Sequence, residues 1–492
     1  VRPLAAAVVA LGLGAGIPVR VTARPGEPAP GAGAGAEPVD EMIEDPSAIA
    51  LPGVEDAPTE TALEPDLGAP PPSEATAAAA APAQPRTFAA TFGGYVDFGF
   101  FVPRGNNGAG WIQATAPMLA QDFPQYANRY AWVFLGDILA PAVNTRGEPA
   151  DLGNSPGVTR FDSVHSNGAA GFIVNEVNLS ANASVLSSIL ATTSVNFTPR
   201  TGAAFSWGDS FDVDIAQIEW LVGARQRTSV FVGKFDSAIG IEYRERKASQ
   251  RFGITPSLLA RYTTGTPLGL KVRTKLGSDD QVVLTGALTN GSSVTEPFHF
   301  YDEVDSNNGK TASGRAAVRL PLPFALELGF SGLYGTQDRA FDDLGRVWFW
   351  GPDLIAEIGP LVLKGQWLRG RVDGESDRRY EEAHRPYGLA LEGGGYLEAN
   401  AVVQPWLGLL LRGEYRDALV WLGNQDPTQP QTPGSEPGER LYITKSYRVT
   451  VGARVTFGDR LVAKAEYLLN GEYGPVPDIR NDVFTTSCVW MY

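Results

Sequence analysis

The chain has 492 residues and carries 40 Lys and Arg against 55 Asp and Glu, a formal net charge of −15. That balance argues against nucleic-acid binding. The lone Cys488 excludes a disulfide framework and a cysteine-based zinc site. The acid excess is also concentrated: about two-thirds of it falls in residues 24–86, which hold twelve acids and two arginines.

Residues 1–23 are expected to be an export signal. Arg2 precedes a short apolar run, "PLAAAVVALGLGAG", and "VTA" ending at Ala23 offers one cleavage site among several. The run is too short to span a bilayer as a helix. A buried N-terminal helix is the alternative. Residues 24–86 are rich in Pro, Ala, Gly and acids and nearly devoid of aromatics. Such a segment buries too little apolar surface to offset its ordering entropy, so a disordered linker is expected.

From Thr87 the texture becomes alternation of period two, the mark of strands with one apolar and one polar face. In "TFGGYVDFGF", Phe92, Val96, Phe98 and Phe100 oppose Tyr95 and Asp97. In "PLGLKVRTKLG", Leu268, Leu270, Val272 and Leu276 oppose Lys271, Arg273 and Lys275. Sixteen such segments are expected: 87–101, 172–182, 187–198, 211–223, 227–236, 267–276, 280–290, 312–320, 323–335, 346–357, 360–371, 388–402, 405–417, 445–457, 460–471 and 483–492. Tight connections follow every second strand, and long polar ones lie between them. Short turns at one end and long loops at the other predict an all-β, antiparallel up-and-down transmembrane barrel. Segment 102–171 reads as a long loop, a plug, or two further strands, so that 14 to 18 strands span the range. Aromatics near both ends of the apolar faces, such as Phe324, Phe457 and Tyr492 at one and Tyr334, Trp350, Tyr415 and Tyr447 at the other, fit the two girdles of a lipid-facing barrel.

The final segment, "FTTSCVWMY", alternates Phe484, Cys488, Trp490 and Tyr492. With this ending and the alternating strands, residues 87–492 resemble a bacterial outer-membrane porin. "VGKFDSAIGIE", Val232–Glu242, is similar to a stretch of the OmpL-like porin family. The resemblance implies a Gram-negative outer membrane, lipid and lipopolysaccharide as surroundings, and a homotrimer as one assembly. It also implies that Trp490 and Tyr492 form a signal read by the barrel-insertion machinery.

The inward faces are expected to line a water-filled channel with Lys271, Arg273, Lys275, Arg315, Arg319, Arg412, Arg448 and Arg454, opposed by Glu327, Glu392 and Glu398. Strands 267–276 and 312–320 are read as neighbours, which makes one wall basic and predicts weak anion preference. Loop 237–266 carries Arg244, Arg246, Lys247 and Arg251 and suits either a constriction folded inward or an outer loop paired with lipopolysaccharide phosphates. His165, His299 and His384 lie in loops without an adjacent nucleophile, so no enzyme is expected. "DEVDSNNGK", Asp302–Lys310, misplaces its glycine for a calcium loop, and neither metal nor cofactor is expected. Passive transport of small hydrophilic solutes is the expected function. A non-conducting barrel with an adhesion or assembly role is the alternative.

Overall fold

The computed structural model describes residues 89–105, 111–112, 133–134, 170–197, 211–277, 280–291, 308–336, 346–373, 387–422, 430, 433, 439–473 and 481–492. The expected export signal and linker, most of segment 102–171, the three histidines and residues 302–307 lie outside them.

The strands are β1 (Ala89–Gly105), β2 (Trp111–Ile112), β3 (Val133–Phe134), β4 (Gly171–Leu186), β5 (Ile189–Phe197), β6 (Phe211–Val222), β7 (Thr228–Lys234), β8 (Leu268–Leu276) and β9 (Val282–Thr289). They continue as β10 (Thr311–Pro321), β11 (Ala325–Thr336), β12 (Arg346–Ile358), β13 (Leu361–Val372), β14 (Tyr387–Gln404), β15 (Leu407–Leu422), β16 (Glu439–Phe457), β17 (Leu461–Glu472) and β18 (Asn481–Met491). Sixteen of them form one closed antiparallel barrel in chain order, sealed by β18 on β1. The short β2 and β3 pair only with each other, so the described residues between β1 and β4 add no barrel strand. Closure leaves no sheet edge with unpaired backbone groups.

The tight turns fall where the sequence places them. Gly359 and Gly458 both adopt φ +59 in the β12–β13 and β16–β17 turns, a conformation that side-chain-bearing residues resist. Period-two alternation then assigns the faces. The outer face leaves large apolar side chains exposed, among them Phe92, Leu179, Ile218, Leu270, Leu288, Phe330, Leu397, Leu411 and Val451. Trp220, Phe324, Trp406 and Phe457 border it at the short-turn end, and Tyr334, Trp350, Tyr415 and Tyr447 at the long-loop end. An apolar belt with aromatic margins is the surface that a bilayer accepts.

Most buried groups face inward, and many are charged: Arg416 and Arg448 are among the largest fully buried side chains. One part of the interior is instead apolar. Leu333, Val347, Phe349, Leu368, Val372, Leu389 and Leu391 project inward from β11–β14 and form a core with residues of the β7–β8 connection. The charge-lined channel expected from the sequence is therefore interrupted along this wall.

Candidate functional site in the lumen

The β7–β8 connection folds inward, which decides between the two readings of loop 237–266. Its apolar residues explain the direction. Ile239, Leu259 and Tyr262 are fully buried against the apolar patch of the wall, and the Tyr262 ring stacks on Phe349 at 5.1 Å. A 3-10 turn at Glu242–Glu245 and a short helix at Ala260–Thr263 are the regular parts of the connection.

Polar groups of the wall then fasten the backbone that the loop brings inside, where unpaired amides and carbonyls are costly. On the β11–β13 side, Gly240 N donates to Ser331 Oγ at 3.0 Å and Ile241 N to Gln366 Oε1 at 3.1 Å. On β17, Glu466 accepts from Ile254 N at 2.6 Å, from Thr255 N at 3.0 Å and from the Thr255 hydroxyl. Lys464 donates to the carbonyls of Ala248, Arg251 and Gly253 at 2.7, 2.6 and 2.9 Å. On β15 and β16, Glu414 accepts from Leu258 N at 2.6 Å, while Arg412 and Arg448 both donate to Pro256 O. Eight strands separate β17 from β8 one way round the barrel, and five separate it from β7 the other way. The loop thus crosses the lumen from root to tip.

Within the loop, Arg251 braces the chain rather than facing the lumen as a free cation: it donates to the carbonyls of Glu245, Arg246 and Ile254. Glu242 accepts Ser257 N at 2.9 Å and Ser257 Oγ at 2.6 Å, yet burial holds its carboxyl above the usual carboxylate range. Arg246 is buried between Asp214, which takes both of its terminal nitrogens, and Asp236, bonded to Nε at 2.5 Å. Lys247 donates to Ser194 Oγ at 3.1 Å and lies 3.7 Å from Asp214. Arg244 reaches Glu327 on β11 at 2.9 Å.

The expected ladder on β8 does face inward, but each cation meets a different environment. Lys271 is buried, donates to Asp236 O at 3.1 Å, and lies over the rings of Phe231 and Phe235 at 4.6 and 4.9 Å. Arg273 stands 3.6 Å from Glu219, and Lys275 stands 3.3 Å from Asp280 beside the short turn. The expectation that β8 and β10 are neighbours is wrong. In a meander adjacency follows chain order, and β9 intervenes: Arg273 and Arg315 both pair in register with Thr285. Arg315 is held by Glu327 at 2.8 Å and Asp353 at 2.5 Å, and Arg319 by Glu327 at 3.3 Å.

On the opposite wall Arg412 joins Glu398 at 3.2 Å and Glu414 at 3.0 Å, while Arg448 shares Glu414 at 2.7 Å. Arg454 lies over the Phe252 ring of the loop at 5.7 Å. Glu392 corrects the expectation for it. It falls at the break in register between Leu391 and Gly393, bonds Arg369 at 2.8 Å, and is half exposed on the outer side with the Trp367 face. An extra residue in one strand reverses the facing of every later residue in that strand, and alternation counted along the sequence cannot see it.

Asp214, Asp353 and Glu414 are among the acids that sequence reasoning missed. Asp353 shares the parity of Val347 and Phe349 and was legible by counting. Asp214 lies next to an irregularity in β5–β6 pairing, where Asp214 and Ile215 are both buried and the alternation is lost. One asymmetry results from this pairing. The side chains of Arg244, Arg273 and Arg319 retain 31, 22 and 59% exposure, whereas their partners Glu327 and Glu219 each retain 7%. The guanidinium side of these pairs therefore faces the remaining space.

At the barrel seam, Trp490 is exposed on the outer face, 5.6 Å from the Tyr492 ring. Tyr492 N donates to Gly94 O on β1 at 3.2 Å, and its hydroxyl donates to Asn178 O on β4 at 3.1 Å.

No family model and no curated protein sequence matches the chain, so the narrower OmpL-like resemblance gains no support. Among solved structures, the outer-membrane channel DcaP of Acinetobacter baumannii aligns with TM-score 0.46 at 10% identity, covering 82% of this chain and 97% of that one. A loop L8 deletion mutant of OmpT from Vibrio cholerae gives 0.45 at 11%, covering 82% and 100%. An anion-selective porin from Comamonas acidovorans gives 0.42 at 8%, covering 82% and 100%. The closed strand order stands on this chain's own hydrogen bonds, and likeness at this level says nothing of solute or activity.

Proposed function

We propose that the chain is an outer-membrane porin: a passive, water-filled pore for small hydrophilic solutes, with a mild preference for anions. The observation that carries this reading is a closed barrel, apolar outside and charged inside, whose lumen is crossed by one firmly anchored loop. Such a loop narrows the passage and fixes charge beside it, and fixed charge sets ion preference. The exposed guanidiniums of Arg244, Arg273 and Arg319 supply the sign. The pore lining is assigned to these with Lys275 and Arg454, while Arg315, Arg412 and Arg448 are buried in ion pairs behind it. The OmpL-like resemblance adds only its short motif. Lipid and lipopolysaccharide surround the barrel, the insertion machinery reads Trp490 and Tyr492, and a homotrimer is the assembly we favour. The reading contains no catalytic step.

A second reading has an observation of its own. The apolar core between loop and wall fills part of the lumen, as a non-conducting barrel with an adhesion or assembly role requires. Purified protein in a planar bilayer separates the two. Discrete conductance steps in potassium chloride support the pore, and a silent bilayer containing folded barrel supports the rival.

A further inference from the structure

Glu327 is bonded by three arginines. Arg315 reaches Oε1 from β10 at 2.8 Å, Arg244 reaches the same oxygen from the loop at 2.9 Å, and Arg319 reaches Oε2 at 3.3 Å. Asp353 offsets one of these charges through Arg315. Two carboxylates against three guanidiniums leave one positive charge. The surplus is accessible, since Arg319 is 59% exposed and commits only its Nε to Glu327 among the described residues. Arg244 is about a third exposed. Their bonds to the two oxygens of one carboxylate bring the two side chains close together.

The same guanidiniums act on the neighbouring Tyr243. Burial pushes its phenol up, yet the Arg244 and Arg315 guanidiniums, with Lys271, hold it below its ordinary value. A guanidinium presents five donors in a planar fork matched to oxyanions, so two of them sharing one carboxylate retain capacity for a second anionic group.

We infer that Arg244 of the loop and Arg319 of β10 form a binding subsite for a small phosphate-type oxyanion, with Glu327 as the internal anion that holds them in place and competes with the ligand. The inference rests on the pore reading and adds a solute class to it. Glu327 is a positioning residue here: it sets how strongly the two arginines are occupied before a solute arrives.

The test uses the purified full chain in a planar bilayer, with chloride current followed as inorganic phosphate is added at constant ionic strength. Wild type should show saturable reduction of the chloride current. R319Q should raise the half-reducing phosphate concentration about tenfold, the scale of one lost charge-assisted hydrogen bond. E327Q should lower it, because the competing carboxylate is gone. Arg319 is exposed, so R319Q should fold, and heat-modifiable mobility checks that it does. A strictly non-saturating response in wild type, or an unchanged half-reducing concentration in R319Q, overturns the subsite. A barrel without chloride current overturns the pore reading instead. In that case a phosphate-dependent rise in melting temperature, present in wild type and absent in R319Q, still upholds the subsite, and its absence in wild type overturns it.

Discussion

Glu466 and Glu242 show how single carboxylates decide whether the loop stays inside. Glu466 is buried and accepts three hydrogen bonds from Ile254 and Thr255. Glu466→Ala would leave those donors unpaired in the interior, costing about 1–3 kcal/mol for each unsatisfied group. The expected outcome is at least tenfold faster amide hydrogen exchange at Ile254 and Thr255, with strand amides unaffected. Unchanged exchange at both positions would show that Glu466 does not fasten the tip. Glu242 acts with the opposite sign. Burial raises its folded carboxyl above the unfolded value, so its stabilising contribution is present below the unfolded value of about 4.3 and is lost as pH rises through the folded one. Glu242→Gln stays neutral at every pH. Melting temperatures of the two proteins should therefore agree near pH 4 and diverge toward pH 8, with the Gln variant higher. A difference that is flat, or favours wild type at pH 8, would mean that the Ser257 bonds outweigh burial.

Elements meet most tellingly at the barrel seam. Tyr492 bonds β1 through its backbone and β4 through its hydroxyl, so one residue at the end of β18 touches both strands beyond the seam. Gly94 makes this feasible, because a side chain there would run into the Tyr492 ring, 2.6 Å from its hydroxyl. Gly94→Val should displace the ring and reduce the yield of heat-modifiable barrel. Tyr492→Phe, which keeps the ring and loses one hydrogen bond, should cost about 1 kcal/mol. Removing Trp490–Tyr492 should abolish insertion. If Gly94→Val and the truncated chain both reach the membrane at normal levels, the seam contacts are dispensable for assembly.

Selectivity belongs to the whole lumen, because the field at any point sums charges from many strands. At physiological salt the Debye length is about 8 Å, so fixed charges one strand apart act together and those two strands apart do so only where the wall shields them from solvent ions. Arg273 and Arg315 are two strands apart through Thr285, about 10 Å at ordinary strand spacing. Lys271 is a poor probe of this field, because it is buried between two phenylalanine rings and its replacement would disturb packing. Arg273 is partly exposed and Arg319 well exposed on this wall. Changing both to Glu should move the reversal potential in a salt gradient toward cation preference. A reversal potential that stays at the wild-type value would place these arginines away from the conducting path.

Alternation in Leu268–Leu276, "LGLKVRTKL", was enough to assign both faces of β8 from the sequence, because successive side chains of a strand point to opposite sides whatever the strand pairs with. The same local rule, with turn length, determined sixteen strands, the two unlike ends and the aromatic margins. Glu392 escaped it because a register break depends on two strands, and the text of one does not record it. The direction of the β7–β8 loop escaped it more completely. Its apolar residues have no strand period, and their partners arrive from far along the chain: Glu466 lies 212 residues from Ile254, and Glu414 lies 156 from Leu258. Pairing likewise turned apparently free cations into ion pairs, since Arg315 meets Asp353 only across β11. The sequence alone determined which residues face inward in strands whose register is unbroken. Tertiary structure decided the facing at the register breaks and which inward residues meet, because both depend on how neighbouring strands pair in the closed barrel.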